Sequence, residues 1–395
     1  MKKIAILTLV LDNYGTKLQS FALSKTIKRL VGIEPEVVDL QIKWGDGQGV
    51  LQKFWNPFRN VYATYGCSFL RRYIDIVIWR LETIFIKLGD RASEQGLMKS
   101  RHDLFENMSL LIPYSKTSYT ADDLRNGLLP EYDYYVVGSD QVWNGIKVGN
   151  QDVFMLDFLN DKKGLTYAAS FGMTEIPLDM IDVYKKGIRN FSSLLIREKE
   201  GVDLCEQLGR MDAVQVLDPT LLLDEKEYDE VIDCDNLVDD DYILVYSLNS
   251  SLKIYRESKK LAANNNCKLV ALKTKRTPPI DNHIEELCAV SPGGFIWLIK
   301  HAKCIVTSSY HAFLFSIILK RPVFLFLDNA DVENCRMINI VDMLDMKQCV
   351  CWETGGLPLE IINLDYNSIY NHLQEEREKS LSCLRDAFAY IDDQT

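Results

Sequence analysis

The chain has 395 residues, 47% of them apolar and 26% charged, with 45 Lys and Arg against 56 Asp and Glu and a formal net charge of −11. This length predicts two or three domains, each with its own core. Asp224–Asp241 (DEKEYDEVIDCDNLVDDD) holds ten acids and one lysine, so the rest of the chain is nearly neutral. No Lys/Arg cluster has the footprint of a phosphate-backbone binder, which excludes nucleic acid as a partner.

Met1, Lys2 and Lys3 precede the apolar run Ile4–Val10, which stops at Asp12-Asn13 with no small-residue cleavage site. It reads as a buried first strand and not as a secretion signal. After the break at Asp12-Asn13-Tyr14-Gly15, Leu18, Phe21, Ala22, Ile27 and Leu30 have helical spacing, closed by Gly32, and Glu36–Leu40 is a second strand. Strand, loop, helix, strand is the unit of a parallel sheet, and it places the DNYG loop at the carboxyl edge where such sheets bind ligands.

Residues from about 45 to 130 interrupt the alternation. GDGQG at Gly45–Gly49 lacks the last glycine of a dinucleotide motif and reads as a loop. Leu70, Ile74, Val77, Leu81, Ile84 and Leu88 form the stripe of an amphipathic helix. Residues 50–88 carry six basic side chains against two acids among several aromatics, so the segment either covers the sheet or touches a membrane surface or lipid-linked substrate.

Strands resume at Tyr134–Gly138, ending in Ser139-Asp140-Gln141; at Thr166–Ser170, ending in Phe171-Gly172; at Ser193–Ile196, ending at Arg197; and at Ala213–Leu217, ending in Asp218-Pro219. Beyond the acidic strip a second set follows, with strands at Tyr242–Tyr246, Lys268–Leu272, Cys304–Thr307 and Val323–Leu327. Helices at Leu252–Ala263, Phe295–Ala302 and His311–Leu319 alternate with them. A last helix, from about Asn367 to Tyr390, carries Ile369, Leu373, Leu381, Leu384 and Phe388 and is expected to pack back on the first domain. Ten cysteines lie scattered without a C-x-x-C pair, so no metal site is predicted and the thiols read as reduced, in a cytoplasmic protein. No run approaches the roughly 18–20 apolar residues that span a bilayer.

Walker A, H-E-x-x-H and G-x-S-x-G motifs are absent from the sequence. His102, His283, His301 and His372 have no evident partners, but His311 opens an apolar helix after a buried strand and a Ser308-Ser309-Tyr310 turn. A serine N-cap and the first helical amides favour an anion such as phosphate. A histidine there can bond that anion or move a proton. Arg197, just past a strand, suits two-pronged capture of carboxylate or phosphate, or else a salt bridge to Glu198 or Glu200. Arg336 is a third candidate cation, and the three are expected to make a small local cationic pocket.

In order, DNYGTKLQSFALSKTIK, YDYYVVGSDQVWN, YAASFG, IREKEG, VLDPTLLLD and VTSSYHAFLFSIILKRPVF closely resemble the polysaccharide pyruvyltransferase family, over roughly Met1 to Asp345. The resemblance implies an α/β, glycosyltransferase-B-like fold: two Rossmann-like domains facing across a cleft, with the C-terminal helix packing back on the first. The expected division is an N-terminal domain over 1–223 on the acceptor side, with a helical insertion at about 45–130. An acidic linker over 224–241, a donor-side domain over 242–360 and a crossing helix over 361–395 follow.

The implied reaction moves the enolpyruvyl carbons of phosphoenolpyruvate onto two hydroxyls of one sugar in a bacterial surface-polysaccharide precursor, forming a pyruvate ketal and releasing phosphate. The donor is a substrate, and no cofactor is implied. The acceptor is expected to be a glycan or lipid-linked oligosaccharide at the inner membrane face. Carried over residue by residue, Arg197 would bind donor anions and His311 would contact phosphate or donate a proton. Ser308 and Ser309 would lend the helix start, Asp140 would orient or deprotonate an acceptor hydroxyl, and Asn13, Ser139, Gln141 and Ser170 would line the first-domain side. Ser309 stands where many members have arginine and Ala312 where many have glycine, so one donor cation is missing from its usual place and Arg336 is its candidate substitute. Two other readings are a glycosyltransferase of the same architecture using a sugar nucleotide, and a non-catalytic glycan-binding relative. The first would want an acid after Lys268–Leu272, where Lys273, Thr274 and Lys275 stand.

Overall fold

The computed structural model describes residues 2–42, 102–159, 164–248, 251–274, 284–328 and 334–394. The GDGQG loop, the amphipathic stripe, the basic-aromatic segment 50–88 and His283 lie outside the described residues. Two parallel sheets form. The first holds β1 (Ile4–Leu7), β2 (Pro35–Gln41), β3 (Tyr114–Thr120), β4 (Tyr134–Gly138), β5 (Gly164–Ala169), β6 (Phe191–Ile196) and β7 (Val214–Gln215), in the order β3-β2-β1-β4-β5-β6-β7. The second holds β8 (Tyr242–Tyr246), β9 (Lys268–Leu272), β10 (Glu285–Leu287), β11 (Cys304–Thr307), β12 (Val323–Leu327) and β13 (Val350–Trp352), in the order β10-β9-β8-β11-β12-β13.

Both orders reverse at a switch point, between β1 and β4 in the first sheet and between β8 and β11 in the second. A crevice opens there at the carboxyl ends of the strands. The loops carrying Asn13, Asp140 and His311 all leave from these strands. Strands β1, β4, β8, β11 and β12 are buried along their whole length, as parallel strands covered on both faces must be.

One boundary is corrected. The insertion does not run to residue 130, because Tyr114–Thr120 pairs with β2 as the edge of the first sheet. Its sequence, YSKTSYT, is polar because one rim of an edge strand faces water, so no apolar run announced it.

Helix α1 (Tyr14–Val31) begins at Asn13, whose side chain accepts from the Gly15 amide at 2.9 Å, and ends at Gly32 in the left-handed region (φ +71°). Its first residue reaches into the second domain. The Tyr14 ring stacks on Phe295 at 4.5 Å with the planes 4° apart, and its hydroxyl donates to the Val290 carbonyl at 2.9 Å.

The acidic strip is a structured seam. Glu227 and Glu230 face Lys25 and Arg29 of α1, while Glu225 and Asp229 face Lys300 of the second domain. These surface pairs are worth about 0.2–1 kcal/mol each. The larger contribution is Tyr228, fully buried between Phe21 of the first domain and Phe315 of the second. The last helix, α7 (Tyr366–Gln394), crosses between the domains. At its start the Tyr370 hydroxyl donates to the Ile318 carbonyl at 2.5 Å. Farther along, Ser380 Oγ accepts from the Leu217 amide at 3.0 Å and Phe388 packs edge-on against Tyr134, so the helix does pack back on the first domain. Among the described residues no helix is long and apolar enough to cross a membrane.

If Tyr14 clamps the domains, Tyr14→Ala should cost about 3–5 kcal/mol in urea unfolding. Tyr14→Phe, which loses only the hydroxyl bond, should cost about 0.5–1.5 kcal/mol. Gly138 offers a second test, since it sits at φ +153° with a Cβ position 1.9 Å from the Tyr167 carbonyl oxygen. Gly138→Ala should destabilise well beyond the about 1–2 kcal/mol that a left-handed alanine costs in open space. Gly127→Ala, at φ +70° with nothing within 4 Å, should show only that smaller cost. Equal losses for the two glycines would contradict the packing described.

Candidate active site

Four first-domain loops converge at the junction. Ser139 and Asp140 follow β4, Ser170 follows β5, Arg197 and Glu198 follow β6 and lead into α2 (Lys199–Gln207), and Asp218 lies just beyond β7. The second domain alternates its strands with α3 (Leu252–Asn264) and α4 (Pro292–His301). It faces these loops with Tyr310 and His311 at the start of α5 (Tyr310–Ile318), and with Arg336 at the start of α6 (Cys335–Met343).

Arg197 is the centre of the cluster and is only 2% exposed. Its Nη1 lies 3.2 Å from Asp218 Oδ2 and 3.8 Å from Asp140 Oδ1, and its Nε lies 3.8 Å from Glu198 Oε2. Nε and Nη2 have no hydrogen-bond partner. The Tyr310 ring receives both arginines, with Arg197 Cζ 4.8 Å and Arg336 Cζ 5.5 Å from its centroid, within cation–π range. Burial pushes the Tyr310 phenol well above its ordinary range.

The three carboxylates are held differently. Glu198 Oε1 accepts from Ser170 Oγ at 3.0 Å, the Phe171 amide at 2.9 Å and the Gly172 amide at 3.2 Å, while Oε2 has no hydrogen-bond partner. Asp218 Oδ1 accepts from the Thr220 amide at 3.0 Å and Thr220 Oγ1 at 2.8 Å, and Oδ2 accepts from Ser139 Oγ at 3.3 Å. Burial opposes ionisation of Asp218, but His311, Arg197 and the Thr220 amide outweigh it and hold the carboxyl well below the usual carboxylate range. Asp140 adopts φ +66°, which costs a non-glycine residue about 1–2 kcal/mol. Thr16 Oγ1 donating to Oδ2 at 3.1 Å and the Gln141 amide donating to Oδ1 at 2.9 Å hold it there. Such retained strain is common where a side chain must point into a site.

His311 places Nε2 3.7 Å from Asp218 Oδ2, longer than a hydrogen bond. Its other edge lies on α1, where a Cβ at residue 15 would come within 2.0 Å of Nδ1. The helix passes this close because residue 15 is glycine.

Of the residues singled out in the sequence, Asp140 and Arg197 face each other at 3.8 Å, Ser139, Arg197 and His311 converge on Asp218 Oδ2, Ser170 joins through Glu198, and Arg336 joins through Tyr310. The others are engaged nearby. Asn13 caps α1, Ser309 caps α5 by accepting from the Ala312 amide at 3.4 Å, and Ser308 bonds Ser247 and the Leu248 amide. The Gln141 side chain packs against Gly172. His102, read as unpartnered, bonds Asp12 at 2.6 Å on the surface.

Sequence reasoning missed Thr16, Tyr310 and the anchoring roles of Glu198 and Asp218. The signal for Asp218 was there: a lone acid inside the apolar run VLDPTLLL must be buried and therefore paired. The expected cationic pocket also contains acids: Asp140, Glu198 and Asp218 all face the Arg197 guanidinium. Among the described residues no group of three or more His, Cys, Asp and Glu side chains is arranged to hold a metal ion.

A family model described as polysaccharide pyruvyl transferase matches residues 13–330. A search of curated proteins finds no match. Similar solved structures include a UDP-N-acetylglucosamine 2-epimerase from Rickettsia bellii, 11% identical over 99% of this chain and 97% of that one, with a TM-score of 0.50. Others are a UDP-GlcNAc 2-epimerase from Methanocaldococcus jannaschii (12% identical, 95% and 92% covered, TM-score 0.45) and an α-glucosyltransferase in complex with UDP and a 13-mer DNA (9%, 99% and 99%, 0.46). At these identities the likeness concerns the fold alone, which is of the glycosyltransferase-B type. The family match covers most of the chain and includes Asp140, Arg197, Asp218 and His311, and the chain belongs to the polysaccharide pyruvyl transferase family.

Proposed function

We propose that the protein transfers the pyruvyl group of phosphoenolpyruvate to two hydroxyls of one sugar in a surface-polysaccharide precursor, forming a cyclic ketal and releasing inorganic phosphate. The observation that carries this reading is Arg197, buried at the domain junction with Nε and Nη2 unbonded and sharing Asp218 Oδ2 with His311. A donor bearing both a carboxylate and a phosphate supplies acceptors for such N–H groups. Arg336, beside the same tyrosine ring, takes the place of the arginine that Ser309 lacks.

In the proposed reaction His311 gives a proton to C3 of the donor, which becomes the methyl group, and C2 becomes electrophilic. One sugar hydroxyl adds to C2, the C2–O–phosphate bond breaks, and the second hydroxyl closes the ring at C2. Of the two hydroxyl protons released, one restores the histidine and the other leaves with phosphate. Asp140 is the carboxylate suited to receive a hydroxyl, since its side chain is 16% exposed against 1% for Glu198 and 0% for Asp218. On this reading residues 1–223 supply the acceptor side and residues 242–360 the opposing donor wall. A lipid-linked acceptor, a cytoplasmic location and contact of segment 50–88 with the membrane face belong to the same proposal and rest on sequence.

Phosphate release from phosphoenolpyruvate should depend on a galactoside or mannoside acceptor, and His311→Ala should lower kcat by about 10²–10⁴-fold. Absence of release with every acceptor, alongside tight binding of a sugar nucleotide, would sink the reading in favour of glycosyl transfer. Arg336→Ala should raise the KM for phosphoenolpyruvate by about 10–100-fold, the worth of a charged hydrogen bond, with kcat within a few-fold of the parent. An unchanged KM would remove Arg336 from the donor site.

A further inference from the structure

Asp218 Oδ2 faces a basic side chain from each domain, Arg197 Nη1 at 3.2 Å and His311 Nε2 at 3.7 Å. The carboxylate is fixed. Thr220 holds Oδ1 with two donors and Ser139 Oγ bonds Oδ2. The Ser139 carbonyl in turn accepts from Thr8 Oγ1 at 3.1 Å, and Thr8 Oγ1 accepts from Gln19 Nε2 at 3.0 Å, which carries the anchor into α1.

The two basic side chains depend on Asp218 unequally. Arg197 also has Asp140 and Glu198, each at 3.8 Å. Among the described residues His311 has no other carboxylate within 4 Å, and its Nε2 has no hydrogen-bond partner. The ring is thus bracketed, with Gly15 against its Nδ1 edge and Asp218 facing Nε2.

We propose that Asp218 is a positioning residue for the transfer reaction, which with the bare face of Gly15 sets the His311 ring so that Nε2 delivers its proton to C3 of the donor. This rests on the reaction proposed above and adds to it the residue that aims the acid. The separation of 3.7 Å supports the role, because a carboxylate at that distance faces Nε2 without locking it into a hydrogen bond. In the step itself the Nε2–H bond breaks, the C3–H bond forms, and the neutral imidazole recovers a proton from an acceptor hydroxyl. Asp218 takes no proton; it acts through His311.

A double-mutant cycle on the full-length chain separates this role from a structural one. Asp218→Asn, which keeps the size, should lower kcat about 100-fold and change the KM for phosphoenolpyruvate less than about fivefold. In the His311→Ala background the same change should cost less than about threefold. Gly15→Ala displaces the ring without altering charge, so it should lower kcat at least about tenfold alone and leave His311→Ala unaffected. Equal losses in both backgrounds, or an Asp218→Asn enzyme with the parent's kcat, would overturn the proposal. Thermal unfolding of the same variants supplies a readout without turnover: combined Asp218→Asn and His311→Ala should lower Tm by less than the sum of the single losses. Additive losses would overturn the Asp218–His311 contact. A wild-type protein that releases no phosphate would instead sink the reaction and leave the contact to the unfolding cycle.

Discussion

The rest of the junction depends on the buried guanidinium of Arg197 and the carboxylates that surround it. A charge taken out of water is tolerated only with partners of opposite sign and good geometry, and removing one partner of such a pair typically costs about 3–5 kcal/mol. Here the partners come from the ends of three strands, Asp140 after β4, Glu198 after β6 and Asp218 after β7. Each acid is in turn fixed by local donors. The strained backbone at Asp140, the close passage of β4 under Tyr167 and the polar chain through Ser139, Thr8 and Gln19 all serve that placement.

The second domain completes the cluster instead of covering a finished one. Tyr310 lies under both Arg197 and Arg336, and His311 reaches Asp218 across the junction. Such a site needs the domains held at a fixed distance. Tyr14 inserted against Phe295, Tyr228 buried between Phe21 and Phe315, and the crossing helix all do so with apolar area and a few directed hydrogen bonds. Surface ion pairs along the acidic strip add little stability. They neutralise a run that would otherwise repel itself.

Much of the fold was legible because buried parallel strands are apolar runs bounded by turns. Tyr134–Gly138, Tyr242–Tyr246, Lys268–Leu272, Cys304–Thr307 and Val323–Leu327 coincide with strands of the structure. The edges were not legible: β3 is polar, and β10 and β13 have three residues each, too short for any periodicity to register. The positions of Arg197, Asp140 and His311 were legible because each lies just past a strand or at the start of a helix on the carboxyl edge of a sheet. Their partners were not, since periodicity places a residue on an edge but does not say which acid across the sheet will meet it. The acidic strip read as a linker for the same reason, because its counter-ions Lys25, Arg29 and Lys300 are remote in sequence.

The claim that this junction carries out pyruvyl transfer is most directly tested by running the reaction with phosphoenolpyruvate and a sugar acceptor in deuterated water. Protonation at C3 from a solvent-exchanged acid predicts a ketal whose new methyl group carries one deuterium, seen by mass spectrometry and NMR of the product. No ketal, or a ketal whose methyl group carries no deuterium, would contradict it.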